Sequence, residues 1–428
     1  MTALRTVVSK KDAFFTISIV LLPFLYQYKG IGNIVSFGEV VVTLSMAVII
    51  FFDKVSLKRI NVSLLLFYAA SILMLVINSG ESYFSFSAAS TLLARMVFYA
   101  MVLFLGREHF SINFAFNFYT FLVLFFSLYL ICQYIVFLGT GNYLPIYIKD
   151  SWQFAPEARA SDLSEYYKFA FRPSSLFAEP SYFALYTIPL VCMLSFKIHR
   201  SFWETITLII SILALFLSTS SSGIAAVFII FIVFFFKRQR KKTVSLFLIK
   251  VLIVLIGVVG LYYFLQLESA MWTLERFSTG GSVNQRITRG IIVYRQLPLF
   301  HQIFGLGLNN LESYMLANNI TTIYDEGDLN YCASFIQTLN YSGIVGLSFL
   351  LLFLCEHFFR TQRIIRTNRQ FSHTFESEAL ISLFLVIVFI LLYESILFSY
   401  RFAYLFIYLE ALQRLYLKEC SKVKNVLC

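Results

Sequence analysis

Apolar positions in this chain neither alternate nor recur every three to four residues over long distances. They run on, in stretches near the ~20 residues that an α-helix needs to cross the hydrocarbon core of a bilayer. Twelve such stretches are marked: 13–28, 34–52, 60–77, 87–106, 113–139, 179–196, 202–218, 222–236, 244–265, 335–359, 377–393 and 401–417. The run 202–236 is divided at Ser218-Thr219-Ser220-Ser221-Ser222-Gly223, because 35 residues is too long for one crossing. The pattern predicts an all-α polytopic membrane protein of about 12 transmembrane helices, a single integral membrane domain over 1–428. Most connections are short. Two are long, 140–178 and 266–334, and the spacing predicts short helices within them.

Composition sharpens this picture. Of 428 residues, 59% are apolar and 13% charged, with 49 Phe and 26 Tyr. Soluble domains are nearer half apolar and a quarter charged. That excludes a disordered chain, a soluble nucleic-acid binder and an ordinary cytosolic enzyme. The net charge of +11 therefore poses a question of sidedness, not of nucleic acid. With the N-terminus inside, 22 Lys and Arg fall in inside segments and 10 in the much longer outside segments; Arg95 and Lys250 lie in spans. Both termini are thus expected in the cytoplasm, and both long loops outside. The first apolar run lacks an A-x-A-like cleavage site and reads as a retained span. No sequence repeat relates the halves. The six cysteines suggest no disulfide framework: Cys132, Cys192 and Cys355 fall in spans, Cys420 and Cys428 on the inside, and Cys332 near the outer face.

The working site is expected outside, where the chain keeps most of its non-membrane sequence. The outer loops carry six arginines (Arg159, Arg172, Arg276, Arg286, Arg289, Arg295) against Lys149 and Lys168. A guanidinium is a planar fork that grips phosphate or carboxylate oxygens in pairs and stays charged; it equally decorates solvated surfaces and lipid headgroups. Ser282-Val283-Asn284-Gln285 fits a capping box, so a helix is predicted from 283 to about 296, with Pro298 beyond it. Ile287, Ile291 and Tyr294 would form its apolar face, with Arg286 and Arg289 side by side on an adjacent strip at headgroup level.

In the first outer loop, Arg172-Pro173-Ser174-Ser175-Leu176-Phe177-Ala178-Glu179-Pro180 leads into the next span. Pro180 suits the first helical turn. Glu179 then either caps that helix or serves as a general base at a cavity mouth. Trp152, Phe154, Tyr166, Tyr167, Phe169 and Phe171 could stack on sugars or form an interfacial belt. Arg95, deep in its span, either completes an anionic-lipid site or pairs with a carboxylate such as Glu39, and the structural pair is favoured. No metal-ligand spacing appears; Asp325-Glu326-Gly327-Asp328 reads as a turn, and Gly305-Leu306-Gly307 follows no clear strand. No metal or cofactor is implied.

With these residues laid out, the chain resembles the O-antigen polymerase (Wzy) family of bacterial surface-polysaccharide assembly. The resemblance rests on the span count and the placing of the two outer loops. It rests also on Arg172 through Pro180, and on Arg276, Arg286 and Gly305-Leu306-Gly307 followed by Phe335-Ile336-Gln337 and Gly343-Ile344-Val345-Gly346-Leu347. The related O-antigen ligases usually have a His about eleven residues before the position of Gly343; here that residue is Cys332, followed by Ala333.

The resemblance implies a glycosyltransferase in the bacterial cytoplasmic (inner) membrane. Two undecaprenyl-diphosphate-linked oligosaccharides meet at the outer face, a hydroxyl of one attacks the anomeric carbon of the other, and undecaprenyl diphosphate leaves. It further implies membrane lipids and a chain-length regulator protein as partners. The diphosphate is assigned to Arg172, Arg276, Arg286 and Arg289, and catalysis to Arg172, Arg286 and the candidate base Glu179. The alternatives are a ligase, which the missing His disfavours, a flippase without chemistry, and an outer-facing acyltransferase, which would want a Ser–His pair. Arg286→Ala is expected to abolish or sharply reduce polymer at unchanged protein level, and Arg286→Lys to restore it only in part.

Overall fold

The computed structural model describes residues 8–32, 34–53, 61–148, 171–236, 284–322, 329–368 and 375–427. The predicted span 244–265, Arg276, Ser282, Trp152 to Phe169 and the acidic turn 325–328 lie outside the described residues.

Helices form where the apolar runs predicted them. In order they are α1 (Lys10–Leu25), α2 (Phe37–Phe52), α3 (Val62–Ile77), α4 (Phe86–His109), α5 (Ile112–Thr140), α6 (Pro180–Ser195), α7 (Phe202–Leu217) and α8 (Ser221–Phe236). Then follow the short α9 (Arg289–Gln296), α10 (Leu299–Phe304) and α11 (Leu311–Ala317), and the long α12 (Ser334–Asn368), α13 (Glu378–Tyr393) and α14 (Tyr400–Leu427). A two-stranded hairpin, β1 (Lys29–Ile31) with β2 (Val35–Ser36), turns α1 into α2. The chain is thus mostly helical. Among the described residues, four segments are long and apolar enough to cross a membrane: Val62–Gly80, Phe86–His109, Ile112–Thr140 and Ser334–Arg366. Five further apolar helices, α2, α6, α7, α8 and α13, are shorter.

Local chemistry sets the ends. Ser36 and Glu39 form a reciprocal capping box on α2, and Ser201 and Glu204 another on α7. The polar break in 202–236 is a real turn: Thr219 takes φ 49° between α7 and α8. The bundle has an inside. Helix α6 is buried from Phe183 to Leu194, and α14 from Phe402 to Leu412, and the two pack together with α5 and α13 around them. Helices α2, α3 and α5 keep large apolar side chains such as Phe51, Leu73 and Phe121 outward. Hydropathy marks the buried α6 and these outward-facing helices alike as apolar.

One crossing organises the end of the bundle that holds the outer-loop residues. Within α12 the backbone breaks at Gly343, which takes φ 63° and ψ −163°. The break releases the carbonyls of Asn340 and Tyr341 from their helical partners. They accept instead from Leu306 N (2.8 Å) and Gly307 N (3.0 Å). The loop after α10 thus lies directly on the broken turn. A Cβ on Gly343 would stand 2.2 Å from the Ile303 carbonyl oxygen, and one on Gly305 would stand 2.4 Å from the Tyr341 carbonyl. No other residue fits either place. The Gly305-Leu306-Gly307 motif is therefore a helix-crossing device, not a phosphate loop.

Candidate functional site

Beside this crossing a cavity of about 500 Å³ opens at the same end of the bundle. One wall is the first three turns of α4, from Ser85 to Arg95; with ~1.5 Å of rise per residue, Arg95 lies roughly 14 Å below the helix start. Opposite stand Asn309, Asn330, Tyr331 and Gln337, carried by the crossing loop and the head of α12. The turn between α13 and α14 closes it with Ser395, Phe398 and Ser399, and the first turn of α14 with Arg401.

The amides are held in place. Tyr341 donates from its hydroxyl to Asn309 Oδ1 (3.1 Å), Asn330 Nδ2 donates to Glu312 Oε2 (3.1 Å), and Ser395 Oγ donates to Gln337 Oε1 (3.2 Å). Arg401 donates through Nη2 to the Ser395 carbonyl (2.6 Å) and through Nε to Ser399 Oγ (3.3 Å), and its guanidinium lies 5.1 Å from the centre of the Tyr182 ring. Two guanidiniums and several amides and hydroxyls thus line the cavity. No carboxylate is among the described lining residues.

Arg95 departs from the favoured expectation of a pair with Glu39. Glu39 is already engaged: Ser36 N donates to one of its oxygens (2.8 Å) and the Tyr99 hydroxyl to the other (2.5 Å). Among the described residues no carboxylate comes within 4 Å of Arg95. The reason is the capping box, which turns the Glu39 side chain back on its own helix start.

The sequence-predicted arginines separate into three environments. Arg286 pairs with Glu394 (3.1 Å), which caps the end of α13 and is 2% exposed. Its guanidinium sits between the rings of Tyr331 (5.1 Å) and Tyr393 (5.2 Å). Burial opposes the Arg286 charge, but the Glu394 carboxylate and the flanking phenols outweigh it and raise its pKa further. Burial, then Glu394, pushes the Tyr331 phenol well above its usual range, so Tyr331 stays a neutral donor to Glu394 Oε2 (3.3 Å). Because Tyr331 lines the cavity, Arg286 lies one ring behind the wall.

Arg289 corrects the expectation of an exposed Arg pair. It is 1% exposed and donates to the carbonyls of Leu329 (3.3 Å) and Tyr331 (3.1 Å). The cause is the wide five-residue turn Asn284–Thr288 that precedes α9. It shifts the register, so α9 turns Arg289, Val293 and Leu297 inward where Ile287, Ile291 and Tyr294 were expected. Arg289 thus holds the backbone that carries Tyr331 and does not face the cavity.

Arg172 lies elsewhere, donating to Thr219 through Nε (3.0 Å, to Oγ1) and Nη2 (3.1 Å, to the carbonyl). The segment after it is pinned to α5. Gln133 donates to the Ser175 carbonyl (3.0 Å) and accepts from Ser175 N (2.8 Å), holding Ser175 at φ 59°. Pro180 occupies the first turn of α6 as expected. Glu179 is the capping residue by backbone, accepting from Tyr182 N (3.0 Å); its carboxylate makes no capping bond and accepts from Ser181 Oγ (2.9 Å). Glu179 therefore begins the turn that bears Tyr182, the ring beneath Arg401.

The sequence alone singles out neither Arg401 nor Glu394 as a site residue. The available signal was position: both are charges at the facing ends of two consecutive apolar runs. No protein-family model matches the chain, and no curated protein matches it.

Proposed function

We propose that the chain polymerises undecaprenyl-diphosphate-linked oligosaccharide units into O-antigen or capsular polysaccharide at the outer face of a bacterial cytoplasmic membrane. In this reading it crosses the membrane about twelve times, with both termini inside, and the cavity faces out. The observation that carries it is the cavity's chemistry. Arg95 and Arg401 bring two permanent cations, uncompensated by any carboxylate among the described lining residues, together with amides and hydroxyls suited to sugar hydroxyls. A diphosphate bearing an oligosaccharide asks for that combination.

In the reaction, a hydroxyl oxygen of the acceptor bonds to the anomeric carbon of the donor. The bond from that carbon to the diphosphate oxygen breaks, and its electron pair leaves with the diphosphate. Arg95 and Arg401 stabilise the charge that develops there, and Asn309, Asn330 and Gln337 orient the sugars. Arg286 and Arg289 support the wall that carries Tyr331. The hydroxyl proton passes to solvent, and with so good a leaving group the base is the smaller contribution; Glu179 begins the turn that holds Tyr182 beneath Arg401.

The test is a gel of surface polysaccharide from a deletion strain complemented with wild type or Arg95→Ala. A single repeat unit in the deletion, long chains with wild type and a single unit with Arg95→Ala are expected. Loss of every repeat unit from the surface would point to a flippase, and full-length polymer retained on the lipid carrier to a ligase.

A further inference from the structure

At the opposite end of the bundle a second polar cluster takes no part in the cavity. It lies on the same helices: Arg107 in the last turn of α4, His357 and Arg360 on α12, and Glu410, Gln413 and Arg414 on α14. Along α14 it begins roughly 14 Å beyond Arg401. Glu410, 4% exposed, is its centre. Arg107 Nε stands 3.9 Å and His357 Nε2 3.7 Å from Glu410 Oε1, and Arg360 interacts electrostatically with both Glu410 and Arg107. Arg414 donates to the carbonyls of Gly106 (3.3 Å), Glu108 (3.2 Å) and Phe110 (2.9 Å), capping α4.

Two features are unaccounted for. Three guanidiniums, Arg107, Arg360 and Arg414, act on Glu410, and Glu108 also acts on Arg414, so among these described groups the cations outnumber the carboxylates by one. Glu356, one turn before Arg360 and exposed, makes no ion pair among the described residues. Several buried polar atoms also lack a hydrogen-bond partner within the protein: both ring nitrogens of His357, Glu410 Oε2, Gln413 Oε1 and Arg414 Nε. Buried polar groups rarely stay unsatisfied, and an excess cation at the edge of a low-dielectric bundle attracts an anion.

We propose that this cluster binds a phosphate-bearing anion, with Arg107 and Arg360 gripping its oxygens. Glu410, His357 and Gln413 lie behind them and take hydroxyl or water donors. An anionic phospholipid headgroup or free phosphate offers this chemistry, and the basic end of the bundle is where an anionic leaflet would meet it. The inference stands apart from the glycosyl-transfer reading.

The experiment is native mass spectrometry of the full-length, delipidated protein titrated with phosphatidylglycerol, phosphatidylcholine or inorganic phosphate. Wild type should bind phosphatidylglycerol in preference to zwitterionic phosphatidylcholine. Arg360→Gln should weaken that binding about fivefold, while Arg360→Lys keeps most of it. Binding of inorganic phosphate alone, with the same loss in Arg360→Gln, would identify the free anion as the ligand and equally support the site. Should wild type show no preference for phosphatidylglycerol and no phosphate binding, the proposal fails however the variants fold. It fails also if Arg360→Gln, folded, binds both as wild type does.

Discussion

Removing the Arg286 side chain would leave Glu394, 2% exposed, without the cation 3.1 Å away. A buried carboxylate stripped of its partner costs about 3 kcal/mol, so Arg286→Ala is expected to lower the thermal midpoint of the purified protein and its level in cells. The double variant Arg286→Ala/Glu394→Gln should regain much of that stability, which a double-mutant cycle of unfolding temperatures would measure. This revises the expectation of an unchanged protein level, which treated Arg286 as a surface cation. Arg95 differs, since no described carboxylate depends on it. Arg95→Ala should unfold within about 1 kcal/mol of wild type and yet lose long polymer. Arg95→Lys should recover shorter chains, because an ammonium cannot grip two oxygens in a plane. Normal long chains from Arg95→Ala would remove this residue from the site.

At the level of elements, the crossing of the α10 loop over the broken turn of α12 sets the cavity's shape, because it places Asn309 and Gln337 on facing sides. Gly343→Ala puts a methyl 2.2 Å from a main-chain oxygen at φ 63°, where backbone cannot yield cheaply. A loss of about 3 kcal/mol or more is expected, read as a large fall in thermal midpoint in detergent. A wild-type midpoint would show that the two segments do not cross as described. Both glycine motifs were visible in the sequence, but their meaning was not. Gly305 and Gly343 meet because the freed carbonyls of Asn340 and Tyr341 need donors, a requirement that appears only once α12 breaks. The wide turn before α9 was equally hidden, and it alone moved Arg289 from an exposed strip to the interior.

For the whole molecule, the proposed topology makes a direct prediction. Reporter domains that are active only outside the cytoplasm should work when fused after Gly141 and fail when fused within the basic stretch Lys237–Lys242. Activity at both places would overturn the twelve-span reading. The fold itself was legible run by run. Every apolar stretch that falls within the described residues became a helix with ends within a few residues of those read from the sequence, except that α12 and α14 run on well past theirs. A helix in an apolar medium satisfies its backbone within its own segment, so a local pattern suffices to find it. What hydropathy could not rank was position: α6 lies in the core beside α14, α3 and α5 face outward in large part, and yet α6, α3 and α5 all read as apolar helices.

The sequence by itself determined the helices, their approximate ends, the basic bias of one set of connections and the proline start of α6, because each depends on residues adjacent in the chain. Only the tertiary structure decided which charges meet. Arg95 and Arg401 share one cavity across some three hundred residues of chain; Arg286 is claimed by Glu394, Arg289 by main-chain carbonyls, and Glu39 by its own capping box. Helices packed in apolar surroundings choose neighbours by shape and by hydrogen bonds between distant segments, and neither is written in any single stretch.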